Sequence, residues 1–393
     1  MRAGPKFAPV SKPSRVVIIG AGAIGSQYAY TLLLQGIAGE ICLLDTNVER
    51  ARAEALDLSH TVPLARRAEV WAGTFDDIAG ADVIMIAAGA PRKQAQTGTD
   101  LLRENARIVG DIAGGAGAMA PDAVYLVATM PVDVMAYVTM MRSGVHHSHV
   151  LGCGTLLDTS LLRHMASRRL GVAPHDIQAL VVGEHGPSGV VAWSQSGVAG
   201  TDLDRWPELD GETRHRLTQE LRSAAHELMT RKGGNSFAEA LALARVTEAV
   251  LRDTRTVFPV SSYLQGEYGI RDVYVGVPSV VGREGVLRTI EVPLSESERR
   301  RLRQSAEVIA DTISTLELEK TRPTRLVPAL VGQGLEISDE FVTGSYAGGR
   351  PGSVSSSPPG RGIHDTSMDE PPRARPIRAI KPKKITARPK KLT

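Results

Sequence analysis

The chain has 393 residues, 42% hydrophobic and 23% charged, long enough for two domains sharing a core and ordinary in composition for a globular enzyme. Its two cysteines, Cys42 and Cys153, are too few for a disulfide framework or a cysteine-based zinc cluster, which points to a reducing compartment. The net charge of +3 is uneven: thirteen Lys and Arg against six acids after Lys320 give that segment +7 and leave the body at −4, so a basic tail sets the sign.

Residues 1–14 hold Lys and Pro but no apolar run of the kind a secretory signal needs, and read as a flexible arm. From 15 to 153, short apolar runs alternate with helix-like stretches. Val16–Gly20 reads as a buried strand, Ala23–Gln35 as a helix, Glu40–Asp45 as a second strand and Val48–Leu58 as a second helix. Glu69–Ala72 and Ala81–Gly89 read as strands, Leu101–Gly114 as a helix and Val124–Thr129 as a strand. Continuous apolar strands separated by helices predict an α/β fold with a parallel sheet covered on both faces, doubly wound by right-handed crossovers.

From 154 to 320 the pattern is α+β. It holds two β-rich runs (Ala179–Gly183, Val190–Trp193), a helical stretch Gly211–Arg252 broken at Gly233-Gly234, and a β pair (Val273–Val281, Val286–Val292). A last helix opens at Ser295 with acids in its first turn and runs to about Lys320. From 321 to 393 the pattern dissolves into Gly, Ser, Pro and basic residues, which predicts a disordered tail. With hardly any aromatics to stack on bases, the tail reads as a solvated extension, or at most a salt-sensitive nonspecific polyanion contact. No run approaches the ~20 apolar residues of a membrane span. A cytoplasmic protein without a membrane or specific nucleic-acid partner is expected.

Gly20-Ala21-Gly22-Ala23-Ile24-Gly25 follows the first predicted strand and opens the first predicted helix. The first glycine permits a tight turn, the second lets backbone approach a pyrophosphate, and the third lets helix and strand pack closely. A diphosphate would meet the free N–H groups of Ala23 and Ile24 at the positive end of the helix dipole. Asp45 ends the second strand twenty residues past Gly25, where a carboxylate binds ribose hydroxyls and repels a 2′-phosphate. The expected cofactor is NAD rather than NADP. Glycine runs alone often only make turns; the strand, the helix, the spacing and the acid together carry the reading.

Further on, Gly183-Glu184-His185-Gly186 lies at a predicted strand end, preceded by Gly152–Asp158 with its terminal acid. Leu56–His60, Ala88–Pro91, Gly266–Ile270 and Val277–Val286 complete an ordered set. Over roughly residues 15–320 this set resembles the signatures of the lactate/malate dehydrogenase family, its L-lactate dehydrogenase-like members above all. The resemblance implies a Rossmann domain at 15–153 and a mixed α/β substrate domain at 154–320. It also implies a small-molecule substrate, further cofactor contacts from Gly89, Ala90 and Thr129, and a homodimer or homotetramer. His185 would carry a proton and Asp158 would be its partner. Ketone reduction by hydride leaves an alkoxide that needs a proton, which an imidazolium supplies; a carboxylate on the other ring nitrogen fixes the tautomer and favours the charged form. A lone histidine is more often structural, and Asp158 is also a good helix N-cap residue.

The departures from the family pattern cluster in the substrate site. Three residues after the aspartate the family has an arginine that pairs with the substrate carboxylate; here it is Leu161. An arginine of the closing loop aligns with Gly98, an asparagine with Met130, and the aspartate after Gly-Glu-His-Gly with Pro187. Arg163, two residues past Leu161, would face about 200° away on a helix, and Arg103 has the same difficulty. Losing the bidentate contact costs roughly 2–5 kcal/mol for a 2-keto acid, and losing a carbonyl-polarising donor about 3 kcal/mol more. Leu161 and Met130 make the inner pocket apolar, which suits a ketone or secondary alcohol without an adjacent carboxylate. Arg92 stands where malate dehydrogenases hold a second-carboxylate arginine, and is either a contact for a distal anionic group or a solvated loop residue. Asn235, beside Ser236, aligns near a family threonine that touches substrate. Three readings follow: a dehydrogenase of shifted substrate, an NAD-binding pseudoenzyme, and an interaction protein displaying the tail. The retained His185 and Asp158 favour the first.

Overall fold

Strands that are apolar on both faces belong inside a sheet covered twice. The first half supplies six: β1 (Arg15–Ile19), β2 (Glu40–Leu44), β3 (Glu69–Ala72), β4 (Val83–Ile86), β5 (Val124–Val127) and β6 (Val150–Gly152). In the computed structural model, which describes residues 13–90, 97–233 and 236–316, they pair in parallel in the order β6-β5-β4-β1-β2-β3. Val16 lies between Ile41 and Val83, and all four residues of β4 are buried. The crossovers are α1 (Ala23–Gln35), α2 (Val48–Thr61), α3 (Gly98–Met119) and α4 (Val132–Ser143). This is the doubly wound, Rossmann-like half.

The second half contributes α5 (Leu156–Leu170), the short strands β7 (Ile177–Gln178), β8 (Val181–Val182), β9 (Val190–Val191), β10 (Gly197–Val198) and β11 (Thr201–Asp202), then α6 (Gly211–Lys232) and α7 (Phe237–Arg252). It ends with β12 (Thr256–Gln265), β13 (Arg271–Gly282), β14 (Gly285–Thr289) and α8 (Glu296–Ser314). The last three strands are antiparallel and continue the main sheet past β6, giving nine strands in the order β14-β13-β12-β6-β5-β4-β1-β2-β3. The helix α7 packs on α1, where the Tyr28 and Thr247 hydroxyls meet at 2.5 Å in the interior. A second core gathers Leu162 and Ala166 of α5, Val181, Val191, and Leu217 and Leu221 of α6.

Local signals placed most of these elements. The expected helix at 101–114 begins three residues earlier and ends five later, because Thr97 and Asp100 form a reciprocal capping box at its start. The Ser295 opening of α8 is also a capping box, with Glu298. The six strands of the first half form the parallel sheet expected of them; what was not predicted is β12, which joins β6 antiparallel and makes the full sheet a mixed one. Pro259, Ser261 and Ser262 interrupt its apolar pattern, and proline inside a run argues against a paired strand. In the sheet, Pro259 stands opposite Pro278, and β6 meets β12 at Ser261.

The arm before residue 13, the tail from 317 on and the unit Glu336–Thr393 lie outside the described residues, all of which fall in the unit Met1–Leu335. No described helix is long and apolar enough to cross a membrane.

Candidate active site

The turn after β1 is built around backbone crowding. Gly20 has φ +111, and a Cβ there would meet Ala88 N at 2.7 Å and Ala87 C at 2.8 Å. A Cβ on Gly25 would lie 1.9 Å from the Gly20 carbonyl oxygen. Gly22 is the opposite case: it caps α1 without a side chain, and a Cβ added there meets nothing within 4 Å. No acid occupies the first turn of α1, so the N–H groups around Ala23 and Ile24 face open space with the helix dipole behind them. Asp45, just past β2, accepts from Ala21 N and from Asn47 N, each at 2.8 Å, and is half-buried. A dinucleotide diphosphate fits this cradle, which a single Cβ at Gly22 would begin to fill.

Two strand ends away, Ala90 N donates to Asn105 Oδ1 at 2.8 Å, and Asn105 Nδ2 donates to the Met130 carbonyl at 2.9 Å. Asn105, 6% exposed on the inner face of α3, thus ties the loop after β4 to the loop after β5. Sequence reading missed it; a buried amide within an apolar helix face is the signal. Gly89 packs against Thr129 and Asn105. The Thr129 hydroxyl donates to the Ala88 carbonyl at 2.8 Å, so it serves this junction. Met130, expected to help make the inner pocket apolar, is 45% exposed.

His185 follows β8 and is fixed at both backbone and ring. Gly183 (φ +99) exchanges two hydrogen bonds with Gly276, N–H to O at 2.8 and 2.9 Å, pinning the segment to β13. The His185 N–H donates to Asp133 Oδ2 at 3.0 Å, and Ser261 Oγ donates to Asp133 Oδ1 at 2.5 Å. The His185 ring presents Nδ1 to Asp158 Oδ2 at 2.6 Å. Asp158 is not the cap of α5, a place taken by Thr155, but lies in its first turn. The sequence alternative of a capping aspartate is therefore set aside by its position.

Burial alone would lower the His185 pKa, but the charge and hydrogen bond of Asp158, then the charges of Asp133 and Glu239, raise it from 6.5 to about 9. The charges that act on His185 most strongly are all negative. Asp133, 2% exposed, is lifted by burial to about 6 despite its donors. With Nδ1 held as a donor to Asp158, Nε2 is left as the atom that gains and loses a proton.

Leu161 of α5 packs against the second core. Arg163, two residues on, has its Nε buried without a hydrogen-bond partner among the described residues, and burial lowers its pKa. Arg92 and Asn235 lie outside the described residues; Ser236, buried, is the N-cap of α7. Asp133 and Glu239 were not foreseen as site residues. The signal for Glu239 is its place at the head of the buried α7 stripe Glu239, Leu243, Val246, Val250, an acid at helical spacing with aliphatic residues. No group of His, Cys, Asp and Glu among the described residues is placed to hold a metal.

An open helix N-terminus after a glycine turn, an acid closing the second strand, and a histidine with one ring nitrogen fixed define an NAD-dependent dehydrogenase acting on a CH–OH group. The chain belongs to the lactate/malate dehydrogenase family: the family's NAD-binding domain matches residues 14–152 and its alpha/beta C-terminal domain residues 155–319. It is 39% identical over 310 residues to the L-lactate dehydrogenase of Thermoanaerobacter pseudethanolicus, covering 78% of this chain and 100% of that one. It is 39% identical over 306 residues to L-lactate dehydrogenase 1 of Bacillus cereus, covering 77% and 98%. Among solved structures, the ligand-bound minor L-lactate dehydrogenase of Enterococcus mundtii superposes with a TM-score of 0.76 at 34% identity, covering 78% of this chain and 99% of that one.

Proposed function

We propose that this NAD-dependent dehydrogenase interconverts a secondary alcohol and a ketone that carry no carboxylate beside the reacting carbon. The observation that carries the reading is the His185–Asp158 pair, held at 2.6 Å, with acids as its strongest charged neighbours. Leu161, Gly98 and Met130 stand where the family resemblance has two arginines and an asparagine. NAD, when bound, supplies the hydride acceptor or donor. Gly20, Gly22, Ala23, Ile24, Gly25 and Asp45 would hold its adenosine diphosphate, and Gly89, Ala90 and Thr129 would border its other half.

In oxidation, His185 Nε2 takes the hydroxyl proton while Asp158 stabilises the imidazolium that forms. In reduction, the imidazolium gives that proton to the alkoxide oxygen. Asp133 holds the backbone of His185 in register with the sheet. The division into a cofactor domain to residue 153 and a substrate domain from 154, and assembly as a homodimer or homotetramer, belong to the same reading. Arg92 and Asn235 are its candidate distal contacts with the substrate.

A second reading, L-lactate and pyruvate themselves, is favoured by the names of the relatives. The experiment is NADH absorbance across ketones and alcohols with and without a 2-carboxylate, alongside His185→Ala. Turnover of carboxylate-free compounds, abolished in the variant while NADH binding persists, supports the first reading. Faster turnover of pyruvate or oxaloacetate overturns it. NADH binding without any turnover would point to a pseudoenzyme.

A further inference from the structure

The segment that carries His185 is bonded to α8 by Ser305. This serine, 1% exposed, stands on the buried face of the helix. Its Oγ accepts from the Glu184 N–H at 2.8 Å and lies 2.8 Å from Ser188 Oγ. The Ser188 hydroxyl reaches Glu184 Oε2 at 2.5 Å, and the Ser188 N–H reaches the same oxygen at 3.2 Å. A carboxylate only accepts, so Ser188 uses its single hydroxyl proton on Glu184, and the Ser305 hydroxyl must donate to Ser188 Oγ. The bonds form a closed circuit: it leaves Glu184 at the backbone N–H, passes through Ser305 and Ser188, and returns to the carboxylate of the same residue. All of them point one way, so each polarises the next.

The glycines of Gly183-Glu184-His185-Gly186 clear the space that this circuit fills. A Cβ on Gly183 would lie 2.7 Å from Ser305 Oγ, and one on Gly186 would lie 2.8 Å from the Glu184 carboxyl carbon. His185 sits between Glu184, where the circuit starts, and Ser188, where it turns back. Its segment is held by three elements: β13 through the Gly183–Gly276 pair, α4 through Asp133, and α8 through Ser305. Two anchors would leave a rotation about the line joining them. The third, on α8, removes it.

We propose that Ser305 is a positioning residue for the reaction: through its circuit with Ser188 and Glu184 it holds His185 where Nδ1 meets Asp158 and Nε2 is left free for the substrate. The proposal rests on the reading of His185 as proton carrier. Ser305 touches neither substrate nor cofactor in this role; it acts through the backbone on either side of the histidine.

The test compares Ser305→Ala, Ser188→Ala, the double variant and a control, Ile309→Val, which thins the buried face of α8 one turn further on. His185 is titrated by NMR in the full-length enzyme, assigned from the spectrum of His185→Ala. NADH binding is read by fluorescence, and turnover by NADH absorbance with 2-butanone and pyruvate as probes. In Ser305→Ala the histidine should titrate about one pH unit below its native value, as its bond to Asp158 loosens. The kcat should fall roughly tenfold or more, with KM and NADH affinity unmoved. Because one break opens the whole circuit, the double variant should be little worse than either single one. Ile309→Val should melt lower and keep the native titration. An unchanged His185 titration in Ser305→Ala, or an equal shift in Ile309→Val, would overturn the positioning role and leave the dehydrogenase reading standing. Losses that simply add in the double variant would overturn the circuit. A lowered titration with kcat unmoved would uphold the positioning and overturn His185 as proton carrier.

Discussion

Asp158→Asn keeps the shape of the side chain and its contact with the ring while removing the charge. The native environment lifts His185 from 6.5 to about 9, a difference of about 2.5 units, or roughly 3 kcal/mol in favour of the imidazolium. That figure is net of burial, which acts the other way, so the acids around the ring, Asp158 first among them, together supply more than the whole of it. Without the carboxylate, the pKa should fall back toward the ordinary histidine range. The sign for stability follows from linkage: a raised histidine pKa contributes fully below about 6.5, and the contribution is lost as pH rises through about 9. The native protein should therefore out-melt Asp158→Asn most at about pH 6, by on the order of 5 °C, with the two curves converging toward pH 9.5 or so. The direct assay is a histidine-labelled NMR titration, with His185 assigned from the spectrum of His185→Ala. A native His185 titrating near 6.5, or at the same pH in both proteins, would refute the role given to Asp158.

Other outcomes are expected from single sites. Gly22→Ala should melt at the native temperature or slightly above, because its backbone (φ −77) suits alanine and its surroundings are open. NADH binding, read by fluorescence, should weaken about tenfold or more, since a methyl group would take up diphosphate space; unchanged affinity would remove Gly22 from the cofactor site. Gly25→Ala, by contrast, should lose several degrees in a melt, since its Cβ would strike the Gly20 carbonyl. Leu161→Arg should raise kcat/KM for pyruvate by roughly thirtyfold through a restored carboxylate partner, at a stability cost of about 1–2 kcal/mol from lost packing. No gain would mean that the missing arginine does not limit the reaction. Glu239→Gln should become more stable relative to native as pH rises from about 5 to 8. A carboxyl raised to about 7 is favoured folded only while protonated, and the relative gain is roughly 2–3 kcal/mol. Parallel stability curves over that range would contradict the burial of this carboxyl.

What the sequence disclosed was what neighbouring residues decide. β1, the glycine turn and α1 were legible because apolar runs, tight turns and helical periodicity are local. The N-cap at Ser295 with its acidic first turn was equally plain, and the capping box at Thr97 lay within reach of a similar rule. β12 was hidden because its place depends on pairing with β13, and its Pro259 and serines carry no local strand signal. The Asp133–Ser261 contact joins residues 128 apart, a separation no pattern along the chain reports. The His185–Asp158 pair was readable only through resemblance, since 27 residues separate its members. Glu239 went unnoticed because the expectations were built from the family's known substrate contacts, and an extra buried acid is not among them.

The continuity of the main sheet has a mechanical consequence. β12, β13 and β14 extend the edge next to β6, and Asp133, at the head of α4, grips both the His185 backbone and Ser261 of β12. The His185 segment is thereby tied to the same sheet whose parallel half would carry the dinucleotide. On the proposed reading, this tie would hold the proton carrier and the hydride donor at one spacing. Shielding the reaction from water then falls to side chains and surface segments, and changes that retune the substrate can accumulate there without disturbing the distance at which the chemistry happens.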